Sequence, residues 1–453
     1  MSALLRHRVY RRLFAAQVVA LTGTGLATVA LSLLAHDLAG ADAAAVLGTA
    51  LAIKMVAYVT VAPAVGALAH RVPRRALMAG TDVIRAGAAL ALPFVTEIWH
   101  VYALILLLQA ASAAFTPAFQ ATVPQVLPDE RDYTRALSLS RLAYDLESLL
   151  SPLLAAALLL LVPYPWLFAG TTAGFLGSAA LVVSTALPRP RPDGASGEPG
   201  GAYAGAGAGV RLFLHTPRLR ALLALDLAVA AAGSLVFVNT VVLVRNHFRL
   251  PAEALTLALG AYGAGSLAAA LLLPRLLGRA GDRAVMLGAA AALPALLAGV
   301  AALTASPPGG VTWAALLAAW AGLGAACSAV LTPAGRVIRR SAAEADLSAA
   351  FAAQFSLSHA CWLLTYPLAG WLGTAAGVPV TTAVLGGLAL AGTGAAALAW
   401  PRRDPARLDH VHADLPAGHP HLAGARPTGA GWRHGHAYVI DRHHRRWPEG
   451  ASG

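Results

Sequence analysis

Twelve long apolar runs alternate with short polar gaps along the chain. They cover residues 13–38, 44–69, 76–96, 100–122, 136–162, 165–187, 217–244, 253–277, 284–304, 310–332, 346–374 and 378–400. A helix needs about 20 apolar residues to cross the hydrocarbon core of a bilayer. The pattern therefore predicts an all-α integral membrane protein with twelve transmembrane helices. The first run exceeds the apolar core of a secretory signal and reads as the first crossing.

The gaps sort by charge. Arginines precede the first run (Arg6, Arg8, Arg11, Arg12) and follow the second (Arg71, Arg74, Arg75). More follow the fourth (Arg131, Arg135), sixth (Arg189, Arg191, Arg211, Arg218, Arg220), eighth (Arg275, Arg279, Arg283), tenth (Arg336, Arg339, Arg340) and twelfth (Arg402, Arg403, Arg407). The other gaps are short and arginine-poor, except for Arg245 and Arg249 after the seventh run. Basic loops stay on the cytoplasmic side, so both termini are expected in the cytoplasm. Arginine far outnumbers lysine, since Lys54 is the sole lysine, and alanine, glycine and leucine dominate. This bias fits a GC-rich bacterial genome and hence the bacterial cytoplasmic (inner) membrane.

Composition narrows the class. Charged residues make up 12% of the chain, against about 25% in a typical soluble domain. The formal net charge of +12 lies in clusters flanking apolar runs, which is a topology signal and not a nucleic-acid-binding face. Cys327 and Cys361 fall inside apolar runs and make no disulfide framework. No phosphate-binding Gly-x-x-x-x-Gly-Lys-Ser/Thr occurs, and no nucleophile and base share a usable spacing in the loops. The chain is thus expected to be neither an ATP-driven pump nor an enzyme, to require no cofactor and to be a monomer.

A proline- and glycine-rich stretch divides the runs into two sets of six. The organisation expected is a half at 1–187, a flexible cytoplasmic linker at 188–216, a second half at 217–400 and a polar cytoplasmic tail at 401–453. The halves also match each other in order. Arg75-Ala-Leu-Met78 pairs with Arg283-Ala-Val-Met286, Thr116-Pro117 with Thr332-Pro333, and Ser151-Pro152 with Tyr366-Pro367. Parallel six-helix repeats predict two pseudo-symmetric halves related by an axis along the membrane normal.

Between the second and third runs lies Gly66-Ala-Leu-Ala-His70-Arg71-Val-Pro-Arg74-Arg75. With the segment from Arg135 to Pro152, it resembles transporters of the major facilitator superfamily, in the branch of bacterial siderophore, macrolide and multidrug exporters. The resemblance covers residues 1–400. It implies alternating access and a gating loop made of Gly66, His70, Arg71, Arg74 and Arg75. Two departures stand out. His70 replaces the usual aspartate, which in the family helps latch the halves, and Ser151-Pro152 replaces the exporters' glycine-proline. Independently of family, Gly66 permits close helix approach, and Arg71 and Arg75 are placed to bond helix ends across the halves.

Ionisable groups within a span cost roughly 2.5–3.5 kcal/mol at its centre and point to function by default. Here they are Lys54, Asp145, Glu147, Asp226 and His359, the candidates for substrate binding or proton coupling. Asp145 and Glu147 are two apart and point about 200° away from each other on a helix. They cannot both face the same cavity; one of them is expected to face Lys54 or the opposite half, and a structural ion pair competes with a coupling role. Asp82 and Arg85, three apart, read as a local interfacial pair.

The tail holds His410, His412, His419, His421, His434, His436, His443 and His444, eight of the chain's fifteen histidines. Imidazole nitrogen is a common ligand of nickel, cobalt and zinc. His-x-His in an extended chain puts both rings on one side. The tail resembles those of nickel-resistance exporters in the same superfamily. Metal bound by the tail, and a small molecule or divalent metal as the transported substrate, are the resulting expectations. The alternative is a metal-sensing or regulatory membrane protein with a transporter fold. The segment Ala437–Asp441 is the part of the tail suited to dock on the helices.

Overall fold

The computed structural model describes the chain except for residues 1–3, 5, 40–42, 69–71, 188–206, 252, 403–406, 414, 417–418, 437, 441–442, 445–446 and 448–453. The first half is built from α1 (Arg8–Ala39), α2 (Ala43–Leu68), α3 (Arg74–Ala91), α4 (Ile98–Val126), α5 (Glu130–Leu159) and α6 (Pro165–Val183). Asp129 caps α5 by accepting from the Asp132 amide at 2.9 Å, with Glu130 and Asp132 in the first turn complementing the helix dipole.

The second half contains α8 (Pro217–Val242), α9 (Glu253–Thr304), α10 (Gly310–Leu331), α12 (Leu347–Ala375) and α13 (Gly377–Ala399). Two shorter helices accompany it, α7 (Ala208–His215) before α8 and α11 (Ala334–Arg339) before α12. Helix α9 holds two of the expected crossings. It breaks at Gly281, where φ is 71°, a left-handed conformation that glycine adopts without steric penalty. Among the described residues nine helices are long and apolar enough to cross a membrane, this one included. Helix α2 has a shorter apolar core, Thr49–Val65. Helix α5 carries seven charged residues, among them Arg141, Asp145 and Glu147, and this is where the interior polar groups concentrate. The architecture is twelve membrane-crossing helices in two halves of six.

Small residues set the closest packing. A Cβ on Gly265 would land on the carbonyl oxygen of Ala321, and one on Gly324 on that of Tyr262. The first limb of α9 and α10 thus meet backbone to backbone. Gly324→Leu is expected to overpack this contact and destabilise the fold by about 1–3 kcal/mol or more. Gly288→Leu, where a Cβ would meet nothing within 4 Å, should be nearly silent. Thermal unfolding of the two variants in detergent checks this, and equal midpoints would refute the packing account.

Two expectations are corrected. The linker expected over 188–216 ends early, because 208–215 is helical. Leu212 and Phe213 of α7 are buried, and Gly209 abuts the Ala349 carbonyl of α12. The tail, expected only as a polar segment, carries an antiparallel sheet of β1 (Leu408–His412), β2 (Arg426–Thr428) and β3 (Gly431–His436) in the order β1-β3-β2. Its Tyr438 and Ile440 are buried in the same hydrophobic cluster as the second half's helices. Burial of these apolar side chains supplies the driving force that a polar, histidine-rich composition conceals.

Candidate functional site

Helix α5 sends its two acids to different places, as their spacing requires. The Asp145 carboxylate pairs with Arg141, one turn earlier, at 3.0 Å, and accepts from Ser266 Oγ of α9 at 2.7 Å. Arg141 also donates to Ser266 Oγ from Nη2 at 3.0 Å and Nε at 3.2 Å. This triad joins the two halves near the bundle's middle. Glu147 turns toward α1 and α2: its carboxylate packs against Gly25 beside Ser151, and it lies within electrostatic range of Lys54. Lys54, not Asp145, is therefore Glu147's charge neighbour.

Lys54 sits 5.6 Å from the centre of the Tyr58 ring and within electrostatic range of His359. Tyr58 packs edge-on against His359 at 4.8 Å and against Phe355, and donates to Gln109 Oε1 at 3.1 Å. His359 Nδ1 donates to the Phe355 carbonyl at 2.6 Å, which leaves Nε2 as the acceptor. Tyr144 is 38% exposed although it lies amid Gln17, Tyr58, Arg85 and Glu147. A side chain with that exposure inside the bundle lines an open interior. Lys54, Glu147, Tyr58, Tyr144 and His359 thus form one polar centre between the halves.

Asp226 stands apart from that centre. It is 2% exposed, and its Oδ2 accepts from Gln354 Nε2 at 2.8 Å. Its Oδ1 and the Gln354 Oε1 are buried with no hydrogen-bond partner among the described residues. Asp82 and Arg85, expected as a local pair, are buried at 0% and 5% exposure. They pair with each other, Asp82 accepts from Ser178 at 2.7 Å, and the Arg85 guanidinium lies between the rings of Phe115 and Phe175 at 4.4 and 4.5 Å. Cation–π contact and the ion pair together offset the desolvation of a buried guanidinium.

The face of the bundle carrying both termini is closed by a second network. Arg336 of α11 reaches Glu130 of α5 at 2.6 Å and Asp282 of α9 at 2.8 Å, and bonds the Thr134 hydroxyl. Arg340 adds a 3.2 Å contact to Asp282, and Arg339 donates to the Pro128 carbonyl at 2.5 Å while lying over the Tyr133 ring. Of the expected gating loop, His70 and Arg71 lie outside the described residues, and Gly66 is helical. Arg74 donates to Gln125 and the Ala121 carbonyl within its own half and is in electrostatic range of Glu344 of the other. At this face Arg336 and Arg339 bond the two halves to each other. Sequence reasoning had read these only as topology anchors. The repeat that pairs Arg75 with Arg283 sets Asp282 opposite Arg74, which was the available signal for this acid. Gln354, Arg141 and Ser266 also escaped it. For Arg141 the i,i+4 spacing to Asp145 was the overlooked clue.

The tail histidines converge. On the paired strands β1 and β3, His410 lies opposite His434 and Leu408 opposite His436, so His410, His412, His434 and His436 share one face of the sheet. His421 and His444 close over that face, within about 5 Å of these rings. Burial and the neighbouring imidazoles pull His410 down to about 4 and His421 to about 3, and lower His434 as well. These rings are neutral near pH 7, the state that offers a lone pair. His419 and His443 sit at the edge, 5.1 Å apart.

Two six-helix halves closed together at one face around a charged and partly open interior have the architecture of membrane transporters. Over residues 13–309 the chain matches the Major Facilitator Superfamily, and it belongs to that superfamily, whose members are transporters and not enzymes. It is 28% identical to macrolide efflux protein A of Streptococcus pyogenes over 151 residues, 32% of this chain and 36% of that protein. The macrolide efflux protein A of Enterococcus faecalis is 30% identical over 106 residues, 22% of this chain and 32% of that protein. The chain thus spans about a third of the length of these curated relatives. Among solved structures, a bacterial homologue of the iron transporter ferroportin in an outward-facing state has a TM-score of 0.66 at 14% identity, covering 86% of this chain and 98% of that one. The human organic anion transporter MFSD10 has a TM-score of 0.63 at 15% identity, covering 86% and 99%.

Proposed function

We propose that the protein is a proton-coupled exporter in the bacterial cytoplasmic membrane, with both termini and the closed face in the cytoplasm. Its substrate is a small organic compound or a divalent transition metal, released to the opposite side by alternating access. The polar centre carries this reading. Glu147 and His359 flank Lys54 within an open interior, where an acid and a base can exchange a proton as substrate enters or leaves. Asp226, with one carboxylate oxygen unpartnered, supplies a second protonatable group. The alternation of arginine-rich gaps supports the orientation, and the likeness to macrolide efflux proteins supports export of an organic compound. A regulatory protein with a transporter fold would not need such a centre.

Proteoliposomes under an imposed proton gradient test this. A macrolide, a cationic dye, nickel, cobalt and zinc are offered in turn. At least one is expected to move, and failure of all of them would remove the exporter reading. For whichever moves, Glu147→Gln is expected to bring gradient-driven transport to near background while gradient-free exchange persists. Transport that keeps its full dependence on the gradient in this variant would exclude Glu147 from coupling.

A further inference from the structure

The geometry points to a divalent transition-metal site in the folded tail, with His410, His421, His436 and His444 as ligands, whose filling tightens the tail's hold on the latch between the halves. Ligand atoms of these four histidines lie within 4.8 Å of one another. His410 Nδ1 is 3.1 Å from the Leu408 carbonyl. A carbonyl only accepts, so Nδ1 carries the proton and Nε2 presents a lone pair inward, the orientation that backbone bonds impose on metal-ligating histidines. His444 Nε2 stands 2.9 Å from His410 Nε2, and the buried Nε2 of His421 has no hydrogen-bond partner among the described residues. Four nitrogens about 2.0–2.1 Å from a tetrahedral ion stand about 3.4 Å apart. The cluster brackets that spacing, and side-chain adjustments of about 1 Å complete it. Neutral imidazoles select nickel, cobalt or zinc over calcium or magnesium, which take oxygen ligands.

A second quartet, His410, His412, His421 and His434, shares two ligands with the first. The first is preferred because His444 is 2% exposed and is joined to the helices through Tyr438. The Tyr438 ring packs against His410 at 5.0 Å, His444 at 4.5 Å and Trp447 at 5.2 Å. Its carbonyl accepts from Arg218 at 3.2 Å, and the Arg218 guanidinium lies 5.2 Å from the Trp447 ring. Arg218 also donates to the Arg340 carbonyl at 2.8 Å. Arg340 contacts Asp282, and Asp282 holds Arg336, which crosses to the other half. A metal that fixes His410 and His444 therefore fixes Tyr438, and through Arg218 it braces the segment that closes the terminus face. This is a physical chain of contacts, and the energy it transmits is what the exchange measurement reads.

The site stands apart from the transport reading, since binding and hydrogen exchange, not transport, report on it. Purified full-length protein is titrated with cobalt and with zinc. One ion per chain is expected, with the intense visible absorption of tetrahedral cobalt. His410→Ala with His421→Ala is expected to weaken binding by about 100-fold or more. His436→Ala with His444→Ala should do the same, whereas His412→Ala with His434→Ala and the edge pair His419→Ala with His443→Ala should each change it by less than about tenfold. No binding above that of the chain ending at Trp400 would overturn the site. Loss only in the His412/His434 pair would overturn the ligand assignment. Metal is also expected to slow amide exchange over 334–346 in the native protein but not in the His436/His444 variant. Protection confined to 408–447 would overturn the coupling to the latch.

Discussion

Arg336→Ala is expected to shift the protein strongly away from the conformation with its terminus face closed. Arg336 bonds Glu130 and Thr134 of the first half and Asp282 of the second. The Asp282 side chain is 2% exposed, so losing its main partner strands a buried carboxylate whose remaining partner among the described residues is Arg340 at 3.2 Å. Breaking a buried pair by removing one partner costs about 3–5 kcal/mol. Exposure of Glu130 at 60% trims its own share to the small value of a surface pair. The stranding of Asp282 lies within the second half and is felt in both conformations, whereas the bonds to Glu130 and Thr134 exist only in the closed one. Their loss places a penalty of about 1–3 kcal/mol on the closed state alone, a population change of roughly 5- to 150-fold. Spin labels on either side of the latch measure it by their distance distribution. Unchanged distances would show that the closed state does not depend on Arg336. Arg336→Lys is expected to restore part of the shift, since a lysine keeps the charge but not the forked geometry that reaches three partners.

The second large effect is expected at the mid-bundle triad. Asp145→Ala leaves the Arg141 guanidinium, 21% exposed, bonded to the neutral Ser266 hydroxyl in place of a carboxylate. An uncompensated charge in that setting costs about 3–5 kcal/mol. The expected outcome is a marked fall in the unfolding midpoint and in the yield of inserted protein. Replacing both members, Arg141→Met with Asp145→Leu, removes the charge together with its partner and should recover most of the stability. Transport is expected to stay impaired in the double variant, because the bond to Ser266 joins the halves. A double variant as unstable as Asp145→Ala would show that the loss comes from packing and not from the orphaned charge.

Much of this architecture was readable in the linear chain because membrane insertion is a local rule. Apolar length, proline and glycine breaks and arginine-rich gaps act within a few residues of where they occur. The break at Gly281 falls in the gap expected between the eighth and ninth crossings, even though the helix is otherwise continuous there. The opposite headings of Asp145 and Glu147 followed from helical geometry alone, but their partners did not. Arg141 lies in the same helix, and Ser266 lies 121 residues from Asp145. Asp82 and Arg85 show the limit most plainly. Their spacing revealed the pair, while Phe115, Phe175 and Ser178, which bury it, come from two other helices.

The tail divides the same way. His-x-His spacing in extended chain placed each doublet on one side, a consequence of strand geometry. That β1 and β3 pair in the register joining His410 to His434, and that His444 folds back over them, was decided by closure of a sheet on the second half's core. By itself, then, the sequence determined the membrane class, the twelve crossings, the two halves and the inventory of interior charges, because each depends on hydrophobicity and charge over one helix length. Tertiary structure alone decided which charges meet: Arg336 with Glu130 and Asp282, Gln354 with Asp226, the histidines with one another. Those contacts join residues far apart in the chain, and their energies depend on burial and distance that no local pattern encodes.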